Sequence, residues 1–334
     1  MGALGGLPLM SNPVFAQSKR DPESVNDLPQ LKGELTLYLG RGEGGLYENV
    51  LDAIQKRNPE LTLTIRRGAT AALANAIMAE AKAGIQKADL FWAVDSGAIG
   101  VVADNGQGQA LPPSLTDLLD TSFQYPNWAP ITGRIRTLPY NPSRVSADKI
   151  PDSVLALADT DLKLGWAPAY SSFQSFLTAM RIQEGDKVTG EWLKAINAKA
   201  TKYAGELGVV MAVERGEVDL GFANHYYTLR LKAGKPDANV QLAFTKDDAG
   251  CLVNASGVMA LTEGDLPINF VRYLLSKEVQ SYLAREAYEI PLVNGIEPPA
   301  GIPPMTELSP PDIDLSKLSD LRPTLRLMRQ TGVL

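Results

Sequence analysis

Strand and helix patterns alternate along residues 34–94, and this order constrains the fold more than any other feature of the sequence. Residues 34–38 alternate polar and apolar side chains as a half-buried strand does, and residues 46–58 carry one apolar helix face. A second strand pattern at 61–66, an Ala-rich helix pattern and the nearly continuous apolar run 88–94 complete a β-α-β-α-β order. That order predicts an α/β lobe.

A second series of the same kind follows between residues 162 and 234. Short apolar strand patterns at 162–167 and 218–223 enclose helix patterns at 173–183, 190–200 and 207–214, and a final helix pattern lies near 321–330. At 334 residues the chain is too long for one ordinary hydrophobic core, so a second β/α lobe is expected. We therefore predict an α/β protein with two lobes. Open sheets of this class bind ligands at the carboxyl ends of their strands.

Composition excludes several classes of function. The formal charge of −6 and the lack of a basic run argue against a nucleic-acid partner. Cys251 is the single cysteine and His225 the single histidine, so an internal disulfide, a thiolate cluster and the usual His and Cys zinc sites are excluded. The sequence holds no complete nucleophile–base set for hydrolysis, and we predict that the protein is not an enzyme.

The first residues are predicted to be an export signal. Residues 1–10 are apolar and rich in glycine, and Val-Phe-Ala at 14–16 resembles a small-residue cleavage site, although a basic n-region is missing. We interpret residues 1–16 as the tail of a secretory signal and residues 1–30 as signal remnant and leader. A leader without function is the alternative. No later apolar run approaches the roughly 18–20 residues of a membrane span.

Adjacent phenols at Tyr226 and Tyr227 are the most informative local feature. They stand where the apolar run 218–223 gives way to a helix pattern at 228–234, and a consecutive pair cannot easily share one core-facing side. Tyr170 occupies the same kind of position, at a strand end and a helix start. Three phenolates meeting at one point would offer a trivalent cation a nearly neutral shell, and Fe(III) is the abundant candidate. If only the adjacent pair is considered, the alternative is that the two rings are ordinary aromatics at a helix start, one buried and one exposed.

Groups suited to an anion are predicted beside these phenols. Ser171 and Ser172 are good helix N-cap residues, and a helix N-terminus with free amides binds anions. Arg134 and Arg136 share one face of the strand pattern 133–138, because side chains alternate with a period of two. Solvated strand charges are an equally good interpretation of these two arginines.

The sequence resembles the bacterial periplasmic ferric-ion-binding proteins, which are the substrate-binding components of iron ABC transporters. The resemblance covers roughly residues 34–334, and its most specific motif is Ala223-Asn224-His225-Tyr226-Tyr227. Weaker matches are LTLY at 35–38, ADLF at 88–91, GRIR at 133–136, GDKV at 185–188, WLK at 192–194, GCLV at 250–253 and SG at 256–257. The family implies a two-lobed type II periplasmic binding protein fold, with mixed sheets flanked by helices and a hinge of crossing strands.

The resemblance implies metal ligands at Tyr226 and Tyr227 and, as in the three-tyrosine branch of the family, at Tyr170. The other branch uses a His and a Glu from the first lobe. Gly42 and Ala71 stand at the matching positions of this sequence and cannot ligate. The first lobe is therefore expected to supply no direct ligand.

A synergistic anion, carbonate or bicarbonate, is expected to fill the remaining coordination positions. Glu43 would ligate only after a one-residue shift, and His225 matches no family ligand, so a hydrogen bond at the hinge is its expected role. Arginine makes a bidentate fork to a planar oxyanion. The expected anion-binding groups are Arg41, Arg134, Ser171 and Ser172.

The resemblance also implies the organisation and setting of the protein. The first lobe is expected to comprise residues 31–136 and 255–297, and the second lobe residues 137–254 and 298–334. The second-lobe tyrosines would capture Fe(III), and the first lobe would close over the anion. The expected location is the periplasm of a Gram-negative-type bacterium, where the protein acts as a monomer and delivers iron to an ABC permease.

Two other functions stay open on the sequence. The same fold could bind another small solute, such as a phosphonate, a polyamine or thiamine. An enzyme could use Tyr226 as a general base and Arg134 to stabilise an oxyanion.

Overall fold

The computed structural model describes residues 20–40 and 45–334. The predicted export signal at 1–16, and Arg41, Gly42 and Glu43 of the glycine-rich loop, lie outside the described residues. The strands are β1 (Gly33–Gly40), β2 (Leu61–Gly68), β3 (Leu90–Ala93), β4 (Ala129–Tyr140), β5 (Leu164–Trp166), β6 (Thr201–Lys202), β7 (Leu220–Gly221), β8 (Ala223–Asn224), β9 (Gln241–Ala243), β10 (Val253–Ala260) and β11 (Ile290–Pro291). The helices are α1 (Leu46–Arg57), α2 (Thr70–Lys82), α3 (Ser96–Asp104), α4 (Pro113–Thr116), α5 (Ser171–Lys199), α6 (Glu206–Glu214), α7 (His225–Gly234), α8 (Asp265–Leu274), α9 (Lys277–Tyr282) and α10 (Leu321–Gln330).

The first lobe is built around β1, β2, β3 and β10. Strands β2, β1 and β3 run parallel in that order, joined by α1 and α2, and β10 pairs antiparallel with β3. Leu35, Leu37 and Leu39 of β1 are buried on one face, and Tyr38 is buried on the other, so the strand is covered on both faces and the half-buried prediction is wrong. Tyr47 of α1 stacks on Trp92 of β3 with ring centroids 4.4 Å apart. The predicted β-α-β-α-β order is confirmed.

Strand β4 connects the two parts of the molecule. Its first half pairs with β10 and β11, and its second half pairs with β7, β8 and β9. The change of partner falls between Ile135, which faces Val253, and Arg136, which faces Asn224. Strand β5 pairs parallel with β7, and β6 pairs parallel with β5. These strands belong to the second lobe. The mixed sheet flanked by helices confirms the predicted α/β class.

Several elements differ in detail from their sequence patterns. The two helices expected at 173–183 and 190–200 are parts of α5, which is interrupted at Gly185. Gly185 has φ 81°, a left-handed conformation that glycine adopts without steric cost. The strand expected at 218–223 is split into β7 and β8, and β9 has no predicted counterpart.

The C-terminal segment contacts both lobes. A short 3₁₀ turn at Leu315–Ser319 lies so close to α3 that a Cβ on Gly100 would stand 2.5 Å from the Ser316 carbonyl oxygen. Helix α10 packs on α5, where the Thr178 and Thr324 hydroxyls are 2.9 Å apart. The residue limits expected for the two lobes stay a prediction. Within residues 20–40 and 45–334, no helix has the length and apolar character needed to cross a bilayer.

Candidate metal centre

Three phenols meet where two helices begin. Tyr170 immediately precedes α5, whereas Tyr226 and Tyr227 lie in the first turn of α7. The hydroxyl oxygens of Tyr170 and Tyr227 are 2.7 Å apart, within hydrogen-bond distance. The rings of Tyr226 and Tyr227 have centroids 4.4 Å apart and are tilted by 42°. Residues separated by more than fifty positions in the sequence therefore present their oxygens to one place.

The helix starts differ from the sequence interpretation. Helix α7 begins at His225 and not at residue 228, so Tyr226 and Tyr227 belong to its first turn. The expectation that Ser171 or Ser172 caps α5 is wrong, because Tyr170 holds the extended cap position with φ −78° and ψ 136°. Both serines are the first residues of the helix itself, where backbone N–H groups lack partners within the helix.

A cavity of about 360 Å³ lies between the lobes and includes this site. Tyr170, Tyr226 and Arg134 line it on one side. The start of α3 lines the opposite side through Asp95, Gly97 and Ala98. Its remaining lining residues include Ser171, Ser172, Asn224 and Asn254. The cavity thus brings together five of the predicted site residues, Tyr226 among them, with the start of α3, whereas Tyr227 is not among its lining residues.

The surroundings of Tyr226 and Tyr227 favour the protonated phenols. Burial raises the pKa of the Tyr226 phenol, even though Arg134 acts in the opposite direction. Burial also raises the pKa of Tyr227 well above its ordinary value, and the neighbouring hydroxyls of Tyr226 and Tyr170 add to the effect. A buried phenolate without a cation is unfavourable, so only a strongly charged partner would keep these oxygens ionised near neutrality.

Arg134 faces the phenols from β4. Burial lowers its pKa, but Glu289, Tyr47, Tyr226 and Asp95 more than offset that effect and raise it above its ordinary value. Glu289 is 1% exposed and accepts hydrogen bonds from the hydroxyls of Tyr47 (2.9 Å) and Thr132. Glu289 had no signal in the sequence, because it lies in an irregular segment far along the chain.

Arg136 is not a solvated strand charge. Its side chain is 2% exposed, and its Nη1 lies 2.6 Å from Oε1 of Glu206, which is fully buried. Its Nη2 donates a hydrogen bond of 3.1 Å to the Ser172 hydroxyl. Glu206 is a second site residue that the sequence analysis missed. The signal available was an acidic residue opening the otherwise largely apolar helix α6.

His225 forms hydrogen bonds that fix it as a neutral imidazole. Its Nε2 donates to the carbonyl oxygen of Tyr288 at 2.6 Å, and its Nδ1 accepts from the backbone N–H of Ile135 at 3.2 Å. Burial lowers the pKa of His225 to about 4. The predicted hydrogen-bonding role is confirmed, since the ring ties α7 to the crossing strand β4.

Asp95 and Ser96 follow the end of β3 and already have partners in the protein. Asp95 caps α3 by accepting the N–H of Ala98 at 2.8 Å, and the Ser96 hydroxyl lies 3.0 Å from the Asn254 side-chain oxygen. Thr70 is buried at the start of α2. In the part of the chain that the structure describes, no three His, Cys, Asp or Glu side chains are grouped as a metal site would require.

Comparison with known proteins adds independent observations. A family model described as bacterial extracellular solute-binding protein matches residues 35–289. The Fe(3+)-binding periplasmic protein of Serratia marcescens is 30% identical over 287 residues, covering 82% of this chain and 83% of the relative.

Solved structures show the same architecture. Iron-bound HitA from Pseudomonas aeruginosa has a TM-score of 0.76 and 28% identity, with 90% of this chain and 99% of that chain covered. A Trichodesmium protein solved with iron and citrate ligands has a TM-score of 0.77, covering 90% of this chain and 100% of that chain. At 22% identity, the second likeness concerns the fold alone. These structures confirm the predicted two-lobed fold class.

Proposed function

The chain belongs to the bacterial extracellular solute-binding protein family, and from that premise we propose that it captures Fe(III) in the periplasm and delivers it to an ABC permease. The relatives named as ferric-ion-binding proteins support iron as the cargo. A binding protein of this kind needs no catalytic group, and none is assigned here.

The distance of 2.7 Å between the Tyr170 and Tyr227 hydroxyl oxygens is the observation on which the iron assignment rests. Oxygen ligands suit hard, highly charged cations, and phenolate is among the most basic oxygen donors that a protein offers. With Tyr226 beside this pair, three phenolates would balance the charge of Fe(III). A neutral organic solute or a polyamine would gain little from three converging hydroxyls.

The same charge balance assigns a role to Arg134. Three tyrosinates leave coordination positions of Fe(III) open, and a small dianion such as carbonate would fill them. Arg134 and Arg136 both line the cavity, but Arg136 is already paired with Glu206. Ser171 and Ser172 place the amide end of α5 at the cavity, where a helix N-terminus favours negative charge. We therefore assign the anion to Arg134 and these two residues, with Arg41 of the glycine-rich loop as the fourth group.

Capture and closure follow from the placement of these groups. The three tyrosines follow β5 and β8 in the second lobe and bind iron first. The start of α3, across the cavity, would then approach the anion and exclude water as the lobes close. The hinge would be the strand connections at 94–96, 136–140 and 252–257. We propose that the closed, monomeric carrier is the form that docks on the permease.

Equilibrium binding of Fe(III) tests this function. Purified protein is titrated with Fe(III) from a competing chelator, with and without bicarbonate, and metal content is measured after gel filtration. We expect one iron per chain and a strong gain in affinity from bicarbonate or another small chelating anion. The Tyr140→Phe variant is a matched control, because Tyr140 is a β4 phenol hydrogen-bonded to Gln241 and does not line the cavity.

Parallel titrations with a phosphonate, a polyamine and thiamine distinguish the other solutes. Binding of one of these at micromolar concentration, with no iron retained, would replace the ferric assignment while preserving the solute-binding function.

A further inference from the structure

One buried carboxylate touches all the chain segments that carry the phenols. Glu206 opens α6 and is fully buried. Its Oε2 accepts the backbone N–H of Asn224 at 2.8 Å, and Asn224 lies two positions before Tyr226. Its Oε1 accepts the hydroxyl of Ser172, which lies two positions after Tyr170. The two helix starts therefore share a single anchor.

Arg136 extends this anchor to the crossing strand. Its Nη1 lies 2.6 Å from Glu206 Oε1, and its Nη2 donates to the same Ser172 hydroxyl. The Arg136 guanidinium also lies 5.6 Å from the centre of the ring of Phe176, a buried residue of α5. A carboxylate oxygen that accepts several charge-assisted bonds in a buried site holds its partners in fixed geometry.

We propose that Glu206 is the positioning residue of the metal site, which sets the distance between Tyr170 and the Tyr226–Tyr227 pair by holding both helix starts. The inference rests on the proposed function, because it assigns a role within that iron site. Glu206 supports the site and is not a ligand, since its oxygens accept from Asn224, Ser172 and Arg136 and it does not line the cavity.

The Glu206→Gln substitution tests the proposal with little change in volume. A carboxamide has one oxygen, which accepts, and one NH₂ group, which donates. One of the two positions that Glu206 fills with an acceptor oxygen would therefore be filled by a donor. Either the N–H of Asn224 or the group of Ser172 and Arg136 faces the new NH₂. Whichever way the amide is turned, either the Asn224 N–H loses its acceptor or the Arg136 guanidinium faces a donor, so the anchor is broken on one side.

We expect E206Q to bind Fe(III) about 10- to 100-fold more weakly, the range seen when groups that orient metal ligands are removed. The tyrosinate-to-iron absorption band should also shift or weaken per bound iron, which a loss of stability alone would not produce. Asp248→Asn is the matched control. Asp248 is a buried carboxylate that accepts from Val154, Gly250 and Thr245 and is remote from the phenols. D248N should melt at a lower temperature with an unchanged band.

The outcomes separate this inference from the proposed function. Wild-type protein that fails to bind Fe(III) refutes the function itself. Wild-type protein that binds, with E206Q equal to it in affinity and absorption band, overturns only the role of Glu206. If E206Q does not fold, the double variant R136Q/E206Q removes both buried charges together and leaves neither unpaired. The weakened band is expected there too, and a native band in the folded double variant would refute the proposal.

Discussion

Lowering the pH by one unit should weaken Fe(III) binding steeply, because each phenol that binds as a tyrosinate must lose its proton. Burial raises the pKa values of Tyr226 and Tyr227, and the hydroxyls of Tyr170 and Tyr227 form a hydrogen bond in which one must donate its proton. Binding as tyrosinates therefore releases one proton from each of the three side chains.

The sign and size of the effect follow from that count. A raised phenol pKa favours the protonated form, so affinity falls as the pH falls. Since these pKa values lie above the ordinary value of about 10, the slope should be constant throughout the neutral and mildly acidic range. Each phenol proton contributes about tenfold per pH unit, so three give about 1000-fold, or about 4 kcal/mol, and bicarbonate that binds as carbonate would release one proton more.

Proton release can be counted directly. Fe(III) is added as a chelate to weakly buffered protein at constant anion concentration, and the base needed to hold the pH is measured. The same addition to the Tyr226→Phe, Tyr227→Phe double variant gives the background, and Tyr140→Phe should match the wild type. Release of fewer than about two protons above background would refute the three-phenolate account.

Three further predictions concern the anion, the pH dependence of stability and the hinge. Arg134→Lys keeps the charge but loses the bidentate fork, so the gain in iron affinity from bicarbonate should fall by about tenfold or more in chelator competition; an undiminished gain would remove Arg134 from the anion site. The pKa of His225 is lowered to about 4, so its stabilising neutral form is fully present above its ordinary pKa and is lost as the pH falls from about 6.5 to 4. The free energy of unfolding, measured with urea, should fall by about 3 kcal/mol over that window. The fall should be smaller in His225→Gln, and an equal fall in the variant would contradict this. A Cβ on Gly257 would lie 2.5 Å from the Trp128 ring, so Gly257→Ala should lower the free energy of unfolding by about 1–3 kcal/mol. Gly234→Ala, whose Cβ meets nothing within 4 Å, is its control, and equal effects of the two substitutions would refute the packing argument.

Local patterns were sufficient to predict most of the fold. Strand β1 and helix α10 follow from side-chain periodicity, which depends on the backbone geometry of each element alone. The boundary of α7 was placed three residues late, because Tyr has no strong helix preference and its position there depends on the partners of Asn224 and His225.

The tyrosines could be predicted as site candidates because each follows a strand, and strand ends meet at one sheet edge. The carboxylates could not. Glu206 and Glu289 act through contacts with residues 18 to 242 positions away, and a single sequence carries no record of such pairings. The strand pattern places Arg136 only on the same face as Arg134, and its burial depends on Glu206.

The visible and resonance Raman spectra of the Fe(III)-loaded protein test the central claim most directly. Three tyrosinates on one ferric ion predict a red to purple charge-transfer band with phenolate ring modes. The band should weaken in Tyr170→Phe, vanish in the Tyr226→Phe, Tyr227→Phe double variant and persist in Tyr140→Phe. Iron-loaded wild-type protein without a phenolate band would contradict the account.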